Sequence, residues 1–147
     1  MAMKIPQYVT ISEVKRVCKE LGLKDWTKIK VPKVTAKEAA VILKVVNAKR
    51  MGIALEDFRM GLEVELEHGT LFDDANVTNN HPILTGMIVL AHMKETLDYY
   101  ERLDVAEVEG DLLKAVLSRK IDKIETKYQK LIKAQAALNK IVSAQLK

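Results

Sequence analysis

Residues 117–142 read LSRKIDKIETKYQKLIKAQAALNKIV, and Leu117, Ile121, Ile124, Tyr128, Leu131, Gln135, Leu138 and Val142 recur within them at alternating steps of four and three. That spacing keeps side chains on one side of a 3.6-residue helix. It predicts one long helix from about Ala106 to Gln145, with Gln135 the single polar interruption. Such a helix either packs along its own bundle or pairs with another chain. The rest of the composition agrees. With 6 Gly, 3 Pro and 2 Phe in 147 residues, a turn-rich sandwich or barrel is excluded, and 48% hydrophobic with 30% charged residues excludes a disordered chain. The expected fold is all-α, a small bundle of about five helices with a long C-terminal helix.

Working outward, local signals place the other helices. Ser12 reads as the N-cap of a first helix that stops at Gly22, with Val14, Val17, Cys18 and Leu21 as its apolar stripe. Residues 24–33 alternate weakly up to Pro32 and read as an extended linker. Thr35 and Glu38 have capping-box spacing and open a second helix that runs to about Lys49, with Gly52 closing it. A third helix spans about Leu55 to His68, stopped by Gly69, and residues 70–80 read as a loop. Asn80-His81-Pro82 then reads as cap and first turn of a fourth helix reaching about Leu103.

Charge divides the chain into thirds. Residues 1–50 hold 12 Lys/Arg and 4 Asp/Glu, residues 51–113 hold 3 and 14, and residues 114–147 hold 9 and 2. The expected organisation is one domain, residues 1–147. It comprises basic helices over 1–52, an acidic helical pair over 53–104 and a long basic helix over 105–147. Basic ends allow weak, sequence-indifferent nucleic-acid binding through phosphates, but base readout relies on Arg, Asn and Gln more than Lys. Trp26 and Tyr128 are the aromatics placed among these cations. One cysteine, Cys18, rules out an internal disulfide and reads as a small core hydrophobe. No apolar run reaches the ~20 residues that span a bilayer, so the expectation is a cytoplasmic protein with no membrane partner.

The acidic third holds all three histidines, His68, His81 and His92. Glu65 and His68 stand at i and i+3, and so do His92 and Glu95, each pair beside a core stripe. Gly61, one turn before Glu65, would let a neighbouring helix approach. If the two helices are antiparallel neighbours, two imidazoles and two carboxylates converge. Zinc or iron accepts that ligand set, and carboxylate di-metal bundles use the Glu-x-x-His unit. Asp98 and Tyr99 would stand behind these ligands. Further carboxylates would have to come from Glu63, Asp73, Asp74 or Asp98. The competing reading is a buried hydrogen-bonded network without metal.

Gly61-Leu62, Val64-Glu65-Leu66-Glu67-His68-Gly69, Asn76-Val77-Thr78, Thr85-Gly86, Ala91-His92, Glu95 and Asp98-Tyr99-Tyr100-x-x-Leu103 occur in that order. Over about residues 58–103 the chain resembles a domain family of unknown function found in bacterial and bacteriophage proteins. The resemblance implies that Glu65, His68, His92 and Glu95 belong to the family pattern, that Leu97 replaces a proline, and that the basic C-terminal helix is an addition. It implies no established activity.

Three functions follow as expectations. The first is a non-enzymatic helical interaction module that meets a protein partner or itself through the C-terminal helix. The family resemblance suggests a phage setting for it, in host cytoplasm or virion, with a virion or assembly role. The second is a ferritin-like metal-dependent oxidase or hydrolase. The third is non-specific nucleic-acid binding through the basic ends.

Overall fold

A computed structural model describes residues 8–47 and 49–146. These form six α-helices: α1 (Ile11–Glu20), α2 (Ala36–Val46), α3 (Leu55–Leu71), α4 (Pro82–Glu95), α5 (Tyr99–Leu117) and α6 (Ile121–Gln145), with 3₁₀ turns at Trp26–Lys28 and Asp73–Ala75. No strand occurs among the described residues, so the chain is all-α with a long C-terminal helix. Residues 1–94 and 95–147 are two compact units.

In the first unit α1 is capped two residues earlier than expected. Thr10, not Ser12, has the extended backbone, and its Oγ1 accepts the Glu13 N–H at 3.2 Å. The far end follows the sequence signal. Gly22 takes φ +65°, and the Leu23 and Gly22 N–H groups bond Cys18 and Lys19 carbonyls at 2.8 and 3.2 Å, a Schellman closure. Residues 24–33 are not a plain linker. They fold around Trp26, which is fully buried, with Asp25 capping the turn through the Thr27 N–H. The indole has too much apolar area to leave in water, and burying it requires a partner for its N–H. Glu38 supplies that partner, at 3.2 Å from Trp26 Nε1.

The capping box at Thr35 and Glu38 forms as read, with both reciprocal bonds present. The helix stops at Val46, short of Lys49, because the Asn47 side chain bonds both the N–H and the carbonyl of Met51 at 2.9 Å and turns the chain. Gly69 does not stop α3. It lies inside the helix, where a Cβ would come 2.2 Å from Asn80 Oδ1, so glycine there admits the following loop. Gly86 plays the same part on α4, since a Cβ would lie 2.5 Å from Ile42 Cγ2 on α2.

The cap of α4 is His81 and not Asn80. Its Nδ1 accepts the N–H groups of Ile83 and Leu84 at 3.2 and 3.4 Å, and its carbonyl receives Thr85 N–H at 2.9 Å. α4 ends at Glu95 rather than near Leu103.

In the second unit, Thr96–Asp98 is a turn built on Asp98. This buried carboxylate accepts the Thr96 hydroxyl and two Arg102 N–H bonds at 2.9 and 2.8 Å. Short polar side chains bonding locally compete with helical backbone, which is why the helix breaks here. The single helix expected over residues 106–145 is likewise two helices. Arg119 adopts φ 53°, while Lys120 N–H bonds Ala115 O at 3.2 Å and Arg119 N–H bonds Val116 O at 3.0 Å. That is a Schellman closure made without glycine, and no sequence signal announced it. The break leaves the residues on either side of it in water. Of the expected stripe, Leu131 is buried and Ile124, Gln135, Leu138 and Val142 are half-buried, whereas Leu117, Ile121 and Tyr128 are 74, 78 and 56% exposed. Ala115 is buried on α5, and the Asp111–Lys127 ion pair ties α5 to α6.

Candidate functional site

α3 presents Glu65 and His68 one turn apart, and α4 brings His92 to them. His92 Nδ1 lies 3.1 Å from Glu65 Oε1, while His68 Nδ1 lies 3.7 Å from Glu65 Oε2. Exposure grades across the trio. The Glu65 side chain is 13% exposed, His92 29% and His68 54%. A carboxylate this far from water is stabilised by a donor, and His92 supplies one when Nδ1 carries its proton. The Glu65–His92 bond therefore clamps α3 to α4, with His68 on the rim. Beside it lies a cavity of about 200 Å³ whose walls include Phe72, Val77 and Ile88.

Zinc or iron would need its donors to converge on one point at about 2.0–2.2 Å. Among the described residues no three His, Cys, Asp or Glu side chains are arranged to do so. Glu95 is exposed and forms no ion pair among the described residues. Glu63 is already engaged. It accepts the Val34 N–H and pairs with Lys33 and Arg59, all at 3.0 Å. Burial alone would raise its pKa, but the Val34 bond and the two cations outweigh burial and hold it below the usual range. Asp73 and Asp74 are exposed on their 3₁₀ turn. Asp98 is bound by Arg102 and Thr96, and the Arg102 hydrogen bond leads in holding its carboxyl at about 2. Tyr99 begins α5, its ring edge-on to Tyr100 with centroids 5.2 Å apart.

Two features escaped sequence reading. The first is the asparagine loop before α4. Asn79 and Asn80 stand at φ 49° and 59°, Asn79 Nδ2 donates to Val9 O at 2.5 Å, and Asn76 Nδ2 donates to Gly69 O and Asn80 Oδ1 at 3.1 Å each. A polar cavity of about 340 Å³ adjoins it, lined by Lys28, Lys30, Asp73 and these three asparagines among others. The available signal was two consecutive asparagines, the residues besides glycine that best tolerate left-handed backbone. The second is His81, whose burial pushes its pKa below 6.5 and keeps Nδ1 free to cap the helix. Trp26 is buried and so unavailable to stack on a nucleic-acid base, while Tyr128 stays exposed.

Residues 14–109 match the model of a family described as a protein of unknown function, DUF5661. That span is wider than the 58–103 stretch of the sequence resemblance. No curated protein and no solved structure matches the chain.

Proposed function

The chain belongs to the DUF5661 family of proteins of unknown function, and from that premise we propose that it is a non-enzymatic helical interaction module. One observation carries the reading. Leu113, Val116, Leu117, Ile121, Tyr128 and Ile132 are all 48% or more exposed around the α5–α6 connection. Lys114, Arg119, Lys120 and Lys123 stand among them. Contiguous exposed apolar side chains rimmed by charge are the usual mark of a surface that another protein covers. The Glu65–His92 clamp then serves the stability of the first unit. No helix of the described residues is long and apolar enough to cross a membrane. A virion or assembly role in a bacterial or phage setting is the context that the sequence resemblance supports.

The test replaces Leu117 and Ile121 together with Asp. The expected variant loses association, read by sedimentation, and melts like the parent when both are dilute enough to be unassociated. A loss of several kcal/mol in the stability of the monomer, the cost of buried unpaired charge, would place these residues in the chain's own core and overturn the reading.

A metal-holding role for Glu65, His68, His92 and Glu95 is the second reading: two imidazoles flank the Glu65 carboxylate, and a bound ion would have to draw these donors onto one point. Elemental analysis of untagged protein decides it. About one metal per chain supports that role, about two favour the oxidase or hydrolase alternative, and none leaves the clamp.

A further inference from the structure

α5 has two sides. Val108, Leu112 and Ala115 form its buried and half-buried side. At ~100° per residue, Gly110 stands about 200° from Val108. It belongs to a second stripe, Leu103, Ala106, Gly110, Leu113 and Leu117, spaced three, four, three and four. This is the seam of a helix pair, yet from Ala106 onward it is uncovered. Leu113 and Leu117 are 58 and 74% exposed, and a Cβ built on Gly110 would meet nothing within 4 Å.

The stripe is polarised along its length in two independent ways. Small residues, Ala106 and Gly110, occupy the first half, and Leu113 and Leu117 the second. Residues 99–111 carry five acids and one Arg, whereas residues 112–123 carry four bases and one acid. A parallel partner would set leucine on leucine, glycine on glycine and acid on acid. An antiparallel copy, turned about a two-fold axis between residues 111 and 112, does the reverse. It sets Leu113 over Gly110 and Leu117 over Ala106, so that knobs enter holes. The same rotation lays the acidic first half of α5, with Glu107 and Glu109 beside the stripe, along the half that carries Lys114. Because the patch is self-complementary under one two-fold operation, it suits a closed dimer.

We propose that the occupant of this face is a second copy of the chain, with α5 packed antiparallel on α5 at this register. The proposal rests on the reading that residues 95–147 carry the interaction, and it names the partner.

The experiment is sedimentation of the full chain over a wide range of protein concentration, together with thermal melting. The parent chain is expected near twice 16.6 kDa. Gly110→Leu fills the hole and should leave a monomer that, compared at a concentration low enough for the parent to be monomeric as well, melts no lower than the parent, since leucine is a better helix former than glycine. The double variant Gly110→Leu with Leu113→Ala exchanges knob and hole, and should dimerise again. A parent chain that stays monomeric overturns the proposal. So does a dimer indifferent to Gly110→Leu but dissolved by Tyr128→Asp with Ile132→Asp. That last outcome would move association to α6 and leave the broader reading of residues 95–147 standing. A double variant that folds without recovering the dimer overturns the register.

Discussion

The two units bury their apolar residues very differently. In the first, Val14, Trp26, Ala39, Ile42, Phe58, Leu62 and Val89 have no exposure at all. Among the described residues of 95–147 the buried apolar ones are Tyr100, Ala115, Leu131 and Ala134, and eight larger apolar side chains stay about half or more in water. Both units leave large apolar side chains outside, but the first closes a fully buried core, while the second buries few residues in proportion to what it exposes. The same contrast holds for glycine. Gly86 is a contact that permits two helices to touch, and Gly110 is an open position on an outer face.

The largest effect expected is at Trp26. Trp26→Ala should cost about 3–5 kcal/mol in denaturant unfolding, because it empties the centre of the first unit and removes a donor from Glu38. A loss below 1 kcal/mol would mean that the first unit is not closed around this residue. Next comes a paired test of the glycines, measured at a concentration low enough to keep the chain monomeric. Gly86→Ala should destabilise by about 1–3 kcal/mol through overpacking on Ile42, whereas Gly110→Ala should stabilise by about 0.5–1 kcal/mol through helix propensity. Equal signs would erase the contrast between the units.

His81 sharpens the comparison through pH. Its folded pKa lies below 6.5, with burial the leading cause, Glu13 opposing and Arg16 reinforcing. The unfolded chain therefore takes up a proton first as pH falls. The stability that His81 contributes is complete above pH 6.5 and is lost as pH falls below it. Thermal melts from pH 7.5 to 5 should show that slope. His81→Asn, a good cap that does not titrate there, should flatten it, and His81→Ala should cost about 1 kcal/mol at neutral pH. The smallest effect expected is Leu117→Ser in the monomer, within about 0.5 kcal/mol of the parent, as for a surface position.

Sequence reading did best where the deciding groups are neighbours along the chain. The Thr35–Glu38 box, the Gly22 stop and the stripe of Val14, Val17 and Cys18 all depend on residues within a turn of each other. It failed where a distant partner decides. Gly69 reads as a stop because nothing nearby reveals that Asn80 will press against it. Asn80 reads as the cap because histidine seldom serves as one. The linker around Trp26 looks extended until Glu38, twelve residues on, supplies the indole's acceptor. For the candidate site, the spacing located Glu65, His68 and His92. It overextended α4 toward Tyr99, because the local bonds of Asp98 outcompete the helix.

Local physics, periodicity and capping, was enough to read from the residues an all-α chain, the starts of α2, α3 and α4, and the acidic stretch holding Glu65, His68 and His92. Tertiary structure alone decided that Glu65 and His92 meet while Glu95 faces water. It also decided that α5 and α6 part at Arg119 and that Leu113 and Leu117 are left outside. Those outcomes depend on which surfaces distant segments cover, and a helical period states only that a face is apolar, not what will lie upon it.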